Sequence, residues 1–428
     1  MADIRAFRGF RYDLGKVGAL SDVVCPPYDV IDPALQQVLL DKSPFNSIRL
    51  ELTPELPGDD EQENKYVRAA RTLKEWTFSD TLKHDSARSL YVYEQEFTVE
   101  GTTYVRRGFL ARVRLEPFGS GRIFPHEQTM SGPKADRLKL YQATGFNISP
   151  VFGIHPDDGG EIAAVLEALV RTAPPTTATD HLGTVNRLWA VSDSATIAKL
   201  IGLLGPQPVF IADGHHRYET GLKYLEEQKA AGAIPDDEHP ANFSLMMLVG
   251  MSDPGLIILP THRLVSGLPG VTAEKLEAAL SPAFDIVGRF DTAEACWEHV
   301  QLEDSQAVLG FGTVADGKWV AAKLRDVAAM DVAAADQSAA WRGLAVSILH
   351  KLVLDKLLPG GKCQYVHLLK EVTDSVAAKG CDLACLVPPC GMEHVEEIAG
   401  NREKMPAKST YFYPKILTGM VLHSLKKE

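Results

Sequence analysis

Apolar residues recur at strand or helix spacing along most of the chain and divide it into short elements. Residues 5–13 alternate apolar and basic side chains, the pattern of an entry strand. Residues 23–31 read as a short strand broken by Pro26 and Pro27. Proline fixes φ and lacks an N–H, so Tyr28 and Asp29 are held on a stiff loop, either as part of a site or as a plain turn before a helix over 32–40. Residues 47–52 alternate as a strand. Residues 61–78 place Tyr66, Ala69, Leu73 and Trp76 on one face of an amphipathic helix. Residues 90–99 and 105–115 pair as a hairpin across Glu100 and Gly101, so the first portion is antiparallel.

The stretch 122–137 is unusual. Apolar residues lead to His126 and Glu127, and a polar loop with Gly132 and Pro133 leads into a helix opening with Lys134, Asp136 and Arg137. A glutamate beside an imidazole suits a general base, and Lys134 and Arg137 suit phosphate neutralisation. The plainer reading makes 134–137 a solvated first helical turn. Gly145 ends that helix, and Asn147, suited to substrate binding or to bridging loops, opens a strand over 151–154. A helix follows over 161–173, a strand over 186–191 and a helix over 195–204.

Residues 208–220 organise the rest. A buried strand over 209–212 meets a sharp turn, and a helix starts near His215. The turn Asp213-Gly214-His215-His216-Arg217 holds an acid, a glycine, two imidazoles and a guanidinium. Gly214 allows a tight turn and close ligand approach. The first N–H groups of a helix favour an anion such as phosphate. Arg217 can grip that phosphate with paired bonds. Asp213 and the histidines supply proton-transfer or metal-holding groups, although Asp213 is also a good helix cap.

Apolar strands over 243–250 and 256–260 come next, the latter ending in Thr261, His262 and Arg263. His262 and Arg263 read equally as reaching the same anion or as a surface turn. Elements over 271–280, 292–302, 307–311 and 319–324 form a small α/β or α+β module without a catalytic cluster. Residues 328–340 are alanine-rich; 345–358 and 372–379 are helical and 382–387 a strand. The run 405–415 is dense in polar and aromatic residues. Lys408, Ser409, Thr410 and Lys415 can close over a phosphate, or the run can dock as a terminal strand.

Composition narrows the chemistry. The chain has 428 residues, 45% hydrophobic and 23% charged, which fits a folded protein of two or three domains. A net charge of −12 without a Lys/Arg cluster argues against broad nucleic-acid or anionic-membrane binding. No secretory signal or membrane-span-length apolar run is present, and the six cysteines in so long a chain suggest reduced thiols and a cytoplasmic setting. Cys381, Cys385 and Cys390 match no usual zinc spacing and read as small apolar residues of a buried strand. There is no Walker-type phosphate loop, dinucleotide fingerprint, nucleophile elbow or kinase signature.

Together Arg5-Ala-Phe-Arg-Gly9, Pro26-Pro-Tyr-Asp-Val-Ile31, His126-Glu127, Asn147-Ile-Ser-Pro150, Asp213-Gly-His-His-Arg-Tyr218 and Lys408-Ser-Thr-Tyr-Phe-Tyr-Pro-Lys415 resemble the bacterial and archaeal family catalogued as domain of unknown function 1015. The resemblance covers nearly the whole chain. The Asp213–Arg217 turn is also similar to the phosphate-binding turn of the ParB/sulfiredoxin-like superfamily, which includes sulfiredoxins, partition proteins and free-serine kinases. That resemblance matches Asp213, His216 and Arg217 to the turn and implies Glu127 as the upstream catalytic base. His215 stands where the kinases have threonine, and sulfiredoxin's cysteine beside the turn is absent.

The expectation is an α+β (mixed α/β) protein. Residues 1–264 form a ParB/sulfiredoxin-like catalytic core with insertions and an antiparallel N-terminal portion. Residues 265–428 form a smaller α/β module whose tail (400–420) docks back on the core. The expected function is phosphoryl transfer from ATP, ADP or pyrophosphate to a small hydroxyl substrate, best free L-serine. Glu127 and His126 serve catalysis with Asp213 and His216. Gly214, His215, Arg217, Lys134, Arg137, Lys408, Ser409 and Thr410 hold phosphate or nucleotide. Tyr28, Asp29, Asn147, His262 and Arg263 contact substrate, and Asp213 orients Mg²⁺. Neither nucleic acid nor membrane is an expected partner, and an oligomer is compatible. The alternatives are a metal-dependent phosphoserine phosphatase, with Asp213, His215, His216 and His126 as ligands, and a non-catalytic nucleotide switch.

Overall fold

A computed structural model describes residues 2–127, 131–401 and 403–427, without burial for the side chains of residues 131–133, 399 and 400. With 35% helix and 27% strand it is a mixed α/β protein. The chain divides into two compact units. The first takes the described residues of 1–125, 129–256 and 414–428; the second takes those of 126–128 and 257–413.

The first unit is built on a nine-stranded mixed sheet. Its order is Ile123–Pro125, Val209–Asp213, Val151–His155, Phe243–Gly250, Thr102–Arg114, Leu90–Val99, Val185–Val191 and Thr176–Thr179, with Ile4–Arg5 also on Thr102–Arg114. The expected hairpin is present, with Val99 opposite Thr102 across Glu100 and Gly101, both at positive φ. Two pairings are parallel, Val209–Asp213 on Ile123–Pro125 and Phe243–Gly250 on Val151–His155. The strand Val209–Asp213 therefore has a neighbour on each side, which explains its unbroken apolar run. Val209 and Ile211 pack with Val151, Val92, Phe109 and Leu248 in one core cluster.

The second unit holds a six-stranded antiparallel sheet, ordered Phe284–Phe290, Lys318–Leu324, Val308–Thr313, Leu383–Leu386, His262–Ser266 and Lys362–Val366. A separate ribbon pairs Ile257–Leu259 with Tyr411–Tyr413. Cys381, Cys385 and Cys390 are buried free thiols, packed as apolar residues.

Several local expectations change. Residues 47–52 are one helical turn, Ile48–Glu51, rather than a strand. The Asn46 amide oxygen accepts the Ile48 N–H at 3.0 Å, and Glu51 N–H closes on Ser47 at 2.8 Å. These local bonds outweigh the two-residue alternation of Ile48, Leu50 and Leu52. Around Pro26 and Pro27 the chain forms two 3-10 turns, Leu20–Asp22 and Tyr28–Val30, and Cys25 meets Thr418 only as an isolated bridge. Asn147 belongs to its own short strand, Phe146–Asn147, paired with His423–Ser424. The helix expected over 345–358 starts as one α turn and continues as a π-helix, Ile348–Leu357, with Leu358 N–H closing on the Val353 carbonyl at 2.8 Å. Among the described residues no helix is long and apolar enough to cross a membrane.

Candidate functional site

In the first unit, the strand Val209–Asp213 delivers Asp213 to the start of the helix His215–Ala230. Gly214 turns the chain at φ +85 and is the helix cap. The Asp213 carboxylate forms ion pairs with Arg217 through one oxygen and Lys415 through the other. The Arg217 guanidinium also donates to the Pro150 carbonyl and is 3% exposed. It lies so close over the turn that a Cβ on Gly214 would stand 2.8 Å from Arg217 Nε. Guanidinium, ammonium and helix N-terminus thus converge on one carboxylate.

A second layer surrounds this point. Burial works against the charged form of Arg217, but Asp213, Asp29 and Glu51 reverse it and hold the guanidinium above its ordinary value. Arg137 lies over the Tyr28 ring at 4.2 Å, donates to the Glu51 carbonyl at 2.7 Å, and pairs with Asp136. Glu51 is fully buried. Its Oε1 accepts the Tyr28 N–H at 3.2 Å and the Ser149 hydroxyl at 3.0 Å. Burial and Asp29 push the Tyr28 hydroxyl well above its ordinary range. Arg106, wholly buried, is lowered to about 10 by burial and stays cationic at neutral pH under the fields of Asp253 and Asp213. It donates to Gln95 and to the Pro414 carbonyl.

The first unit therefore brings Tyr28, Asp29 and Arg137 into the electrostatic neighbourhood of Asp213, Gly214 and Arg217. His215 is buried and His216 half-buried at the helix start. Asn147 is buried, and its side-chain oxygen accepts the Leu245 N–H at 2.9 Å, the bridging use. Lys134, half-exposed, pairs with Glu219 on the helix of the turn. Glu51 is the residue sequence reasoning missed; a strand reading gave its side chain no destination.

The remaining candidates belong to the second unit. Glu127 Oε1 accepts the Ser409 N–H at 2.6 Å. His126 is fully buried and shares a 2.8 Å hydrogen bond with the Thr410 hydroxyl. The Met405 N–H closes on the His126 carbonyl at 2.7 Å. Lys408 has φ +60, and its carbonyl accepts Arg263 Nη2 at 2.8 Å. His262 is a core histidine: its Nδ1 accepts the Val387 N–H at 3.2 Å and its ring meets Trp297 edge-on. Burial and Arg263 lower it to about 3, so it is neutral at physiological pH. Gln128–Met130, part of the loop after Glu127, lie outside the described residues.

Mg²⁺ has no evident protein cage. Both Asp213 oxygens hold cations, and among the described residues no three His, Cys, Asp or Glu side chains gather as metal ligands. Mg²⁺ commonly takes one or two carboxylates with phosphate oxygens and water.

A family model described as "Protein of unknown function (DUF1015)" matches residues 4–347. No curated protein matches the chain. Among solved structures, the chain is similar to a conserved hypothetical protein from Pyrococcus furiosus, at 13% identity and TM-score 0.34, covering 69% of this chain and 90% of that one. It is similar to a free serine kinase in complex with AMP, at 12% identity and TM-score 0.35, covering 69% and 86%. It is also similar to a C-terminally truncated SbnI from Staphylococcus aureus, at 11% identity and TM-score 0.36, covering 73% and 86%.

Proposed function

The chain belongs to the DUF1015 family, and from that premise we propose that it is a small-molecule phosphotransferase that phosphorylates free L-serine from ATP, ADP or pyrophosphate. One observation carries the reading. Arg217, Lys415 and the N-terminus of the helix His215–Ala230 meet at the left-handed Gly214 turn, inside one unit. Phosphoryl transfer asks a protein chiefly for positioning and for positive charge where the phosphoryl group sits. Backbone N–H groups, a buried guanidinium and an ammonium are the groups that supply it.

In this reading the N–H groups after Gly214, with Arg217 and Lys415, hold the transferring phosphoryl group. Arg137 holds Tyr28 against the same cluster. The serine hydroxyl oxygen forms the new bond to phosphorus, the donor's bridging oxygen leaves with the bonding pair, and the hydroxyl proton passes to Glu127. The base role of Glu127 comes from the sequence resemblance. The Ser409 N–H donates to one Glu127 oxygen and holds the carboxylate in place. His126, fixed by Thr410, anchors the same segment.

The test is phosphorus NMR of purified protein with Mg²⁺ and L-serine, with ATP, ADP and pyrophosphate in parallel. O-phosphoserine appearing with one donor is the expected result. Release of inorganic phosphate from added phosphoserine, with no forward reaction, would replace the kinase by a phosphatase; silence in both directions would leave a nucleotide switch. Glu127→Gln should cut turnover by roughly 10²–10⁴ while the protein stays folded. Near-wild-type turnover in that variant removes Glu127 from the mechanism.

A further inference from the structure

Arg263 carries a buried cation in the second unit. It is 1% exposed, and among the described residues it makes no ion pair. Removing a guanidinium from water without a counter-charge is costly, so its hydrogen bonds have to satisfy it. Each nitrogen has a partner. Nη1 donates to the Thr261 carbonyl, Nη2 to the Lys408 carbonyl at 2.8 Å and Nε to His350 Nε2 at 3.2 Å. The strand His262–Ser266 sets the side chain between two neighbours, with Tyr365 opposite on one side and Cys385 on the other. The guanidinium carbon lies 5.5 Å from the Tyr365 ring centre.

His350 sits in the π-helix Ile348–Leu357. Such helices are rare and recur at functional positions. Because Nε2 accepts from Arg263, the ring proton is on Nδ1 and the ring is neutral. Burial and Arg263 keep it so, lowering it to about 4.

The Lys408 carbonyl that Arg263 grips lies at a strained position, since a lysine at φ +60 is held against its preference. The next residue, Ser409, gives its N–H to Glu127 at 2.6 Å. The contacts therefore run without a gap from His350 to Arg263, to the Lys408 carbonyl, through one peptide to the Ser409 N–H, and to the Glu127 carboxylate.

We infer that Arg263, oriented by His350, is a positioning residue that fixes the Lys408–Ser409 peptide and through it aims the carboxylate of Glu127. The inference rests on Glu127 acting as the base. Arg263 touches neither substrate nor donor in this role. Its loss moves a carboxylate that has to be within hydrogen-bond reach of a hydroxyl, and misplacing such a group by about 1 Å costs up to about a hundredfold in turnover.

The experiment measures kcat and both KM values per folded molecule for full-length His350→Leu, His350→Gln, Arg263→Lys and Glu127→Gln. His350→Leu removes the acceptor, and Arg263→Lys removes the fork while keeping the charge. Either variant that folds should lose about ten- to a hundredfold in kcat with both KM values within about twofold. His350→Gln, which keeps an acceptor, should stay within about threefold of wild type. Hydrogen exchange at the Ser409 amide should quicken in His350→Leu and Arg263→Lys and not in His350→Gln. Unchanged kcat in the folded variants, loss of KM instead of kcat, or an equal loss in His350→Gln would each overturn the inference. If Glu127→Gln itself retains normal turnover, it is the assignment of the base that fails.

Discussion

Gly214→Ala tests the turn with one methyl group. Gly214 sits at φ +85, a region where a Cβ costs about 1–2 kcal/mol. The added carbon would also stand 2.8 Å from Arg217 Nε and 2.9 Å from its Cζ and Nη2. That guanidinium cannot swing away without releasing Asp213 and the Pro150 carbonyl. Gly183→Ala separates the two effects. Gly183 has φ +83 in the same unit, with nothing within 4 Å of its would-be Cβ. Both variants should lose about 1–2 kcal/mol, which at about 2–4 °C per kcal/mol is a fall of about 2–8 °C in Tm. Gly214→Ala alone should also lose the charged hydrogen bond that Arg217 is proposed to make to the phosphate, about 1.5–3 kcal/mol, or about ten- to a hundredfold in kcat/KM for the phosphate donor. Calorimetry and steady-state kinetics on the pair decide it. Equal kcat/KM in both variants would refute the claim that Arg217 acts at the Gly214 turn.

Lys415→Met removes a cation from Asp213 and should raise KM for the phosphate donor about tenfold; an unchanged value in titrations of the donor would exclude Lys415 from the phosphate site. Burial works to raise the Asp136 carboxyl, but Arg137, Lys65 and Tyr66 hold it at about 2, below its ordinary 3.8. Its stabilising effect is therefore full above about pH 4 and lost as pH falls toward 2, and Asp136→Asn should flatten urea-unfolding stability across that window by about 2 kcal/mol. His262 at about 3 and His350 at about 4 are bases held neutral, so stability is full above about pH 6.5 and falls on acidification by roughly 1.4 kcal/mol per pH unit for each ring. His350→Gln should show the shallower fall between pH 6.5 and 4 in the same measurement, and parallel curves would contradict the neutral-imidazole assignment.

The strand, glycine turn and helix at 209–230 were legible because each signals locally: an apolar run, a residue free to take positive φ, and polar groups at a helix start. The hairpin at Glu100 and Gly101 was legible for the same reason. Glu51 was hidden, because Ile48, Leu50 and Leu52 alternate like a strand and the Asn46 and Ser47 bonds that wind them into a turn leave no periodic trace. The π-helix was hidden because its apolar spacing reads as an ordinary helix. The division of the chain was the least legible feature. Pro125 ends a strand of the first unit and His126 begins a segment of the second, with no change in composition between them. Membership of a packed unit is decided by long-range partners, here Met405, Ser409 and Thr410, which neighbouring residues do not encode.

The charges of the first-unit cluster bear on how a phosphate donor is met. Among the described residues, Lys65, Arg106, Arg137, Arg217 and Lys415 stand against Asp29, Glu51, Asp136, Asp213 and Asp253. At the Gly214 turn, helix N–H groups add to Arg217 and Lys415. The whole chain is at −12, so long-range attraction does not draw a polyanion in. Under the proposed function such a site would grip one phosphoryl group through directed hydrogen bonds and leave the remaining donor charge to the donor's own counter-ion. On the same proposal a magnesium-bound donor would fit better than a bare one, with Asp213 already engaged by Arg217 and Lys415.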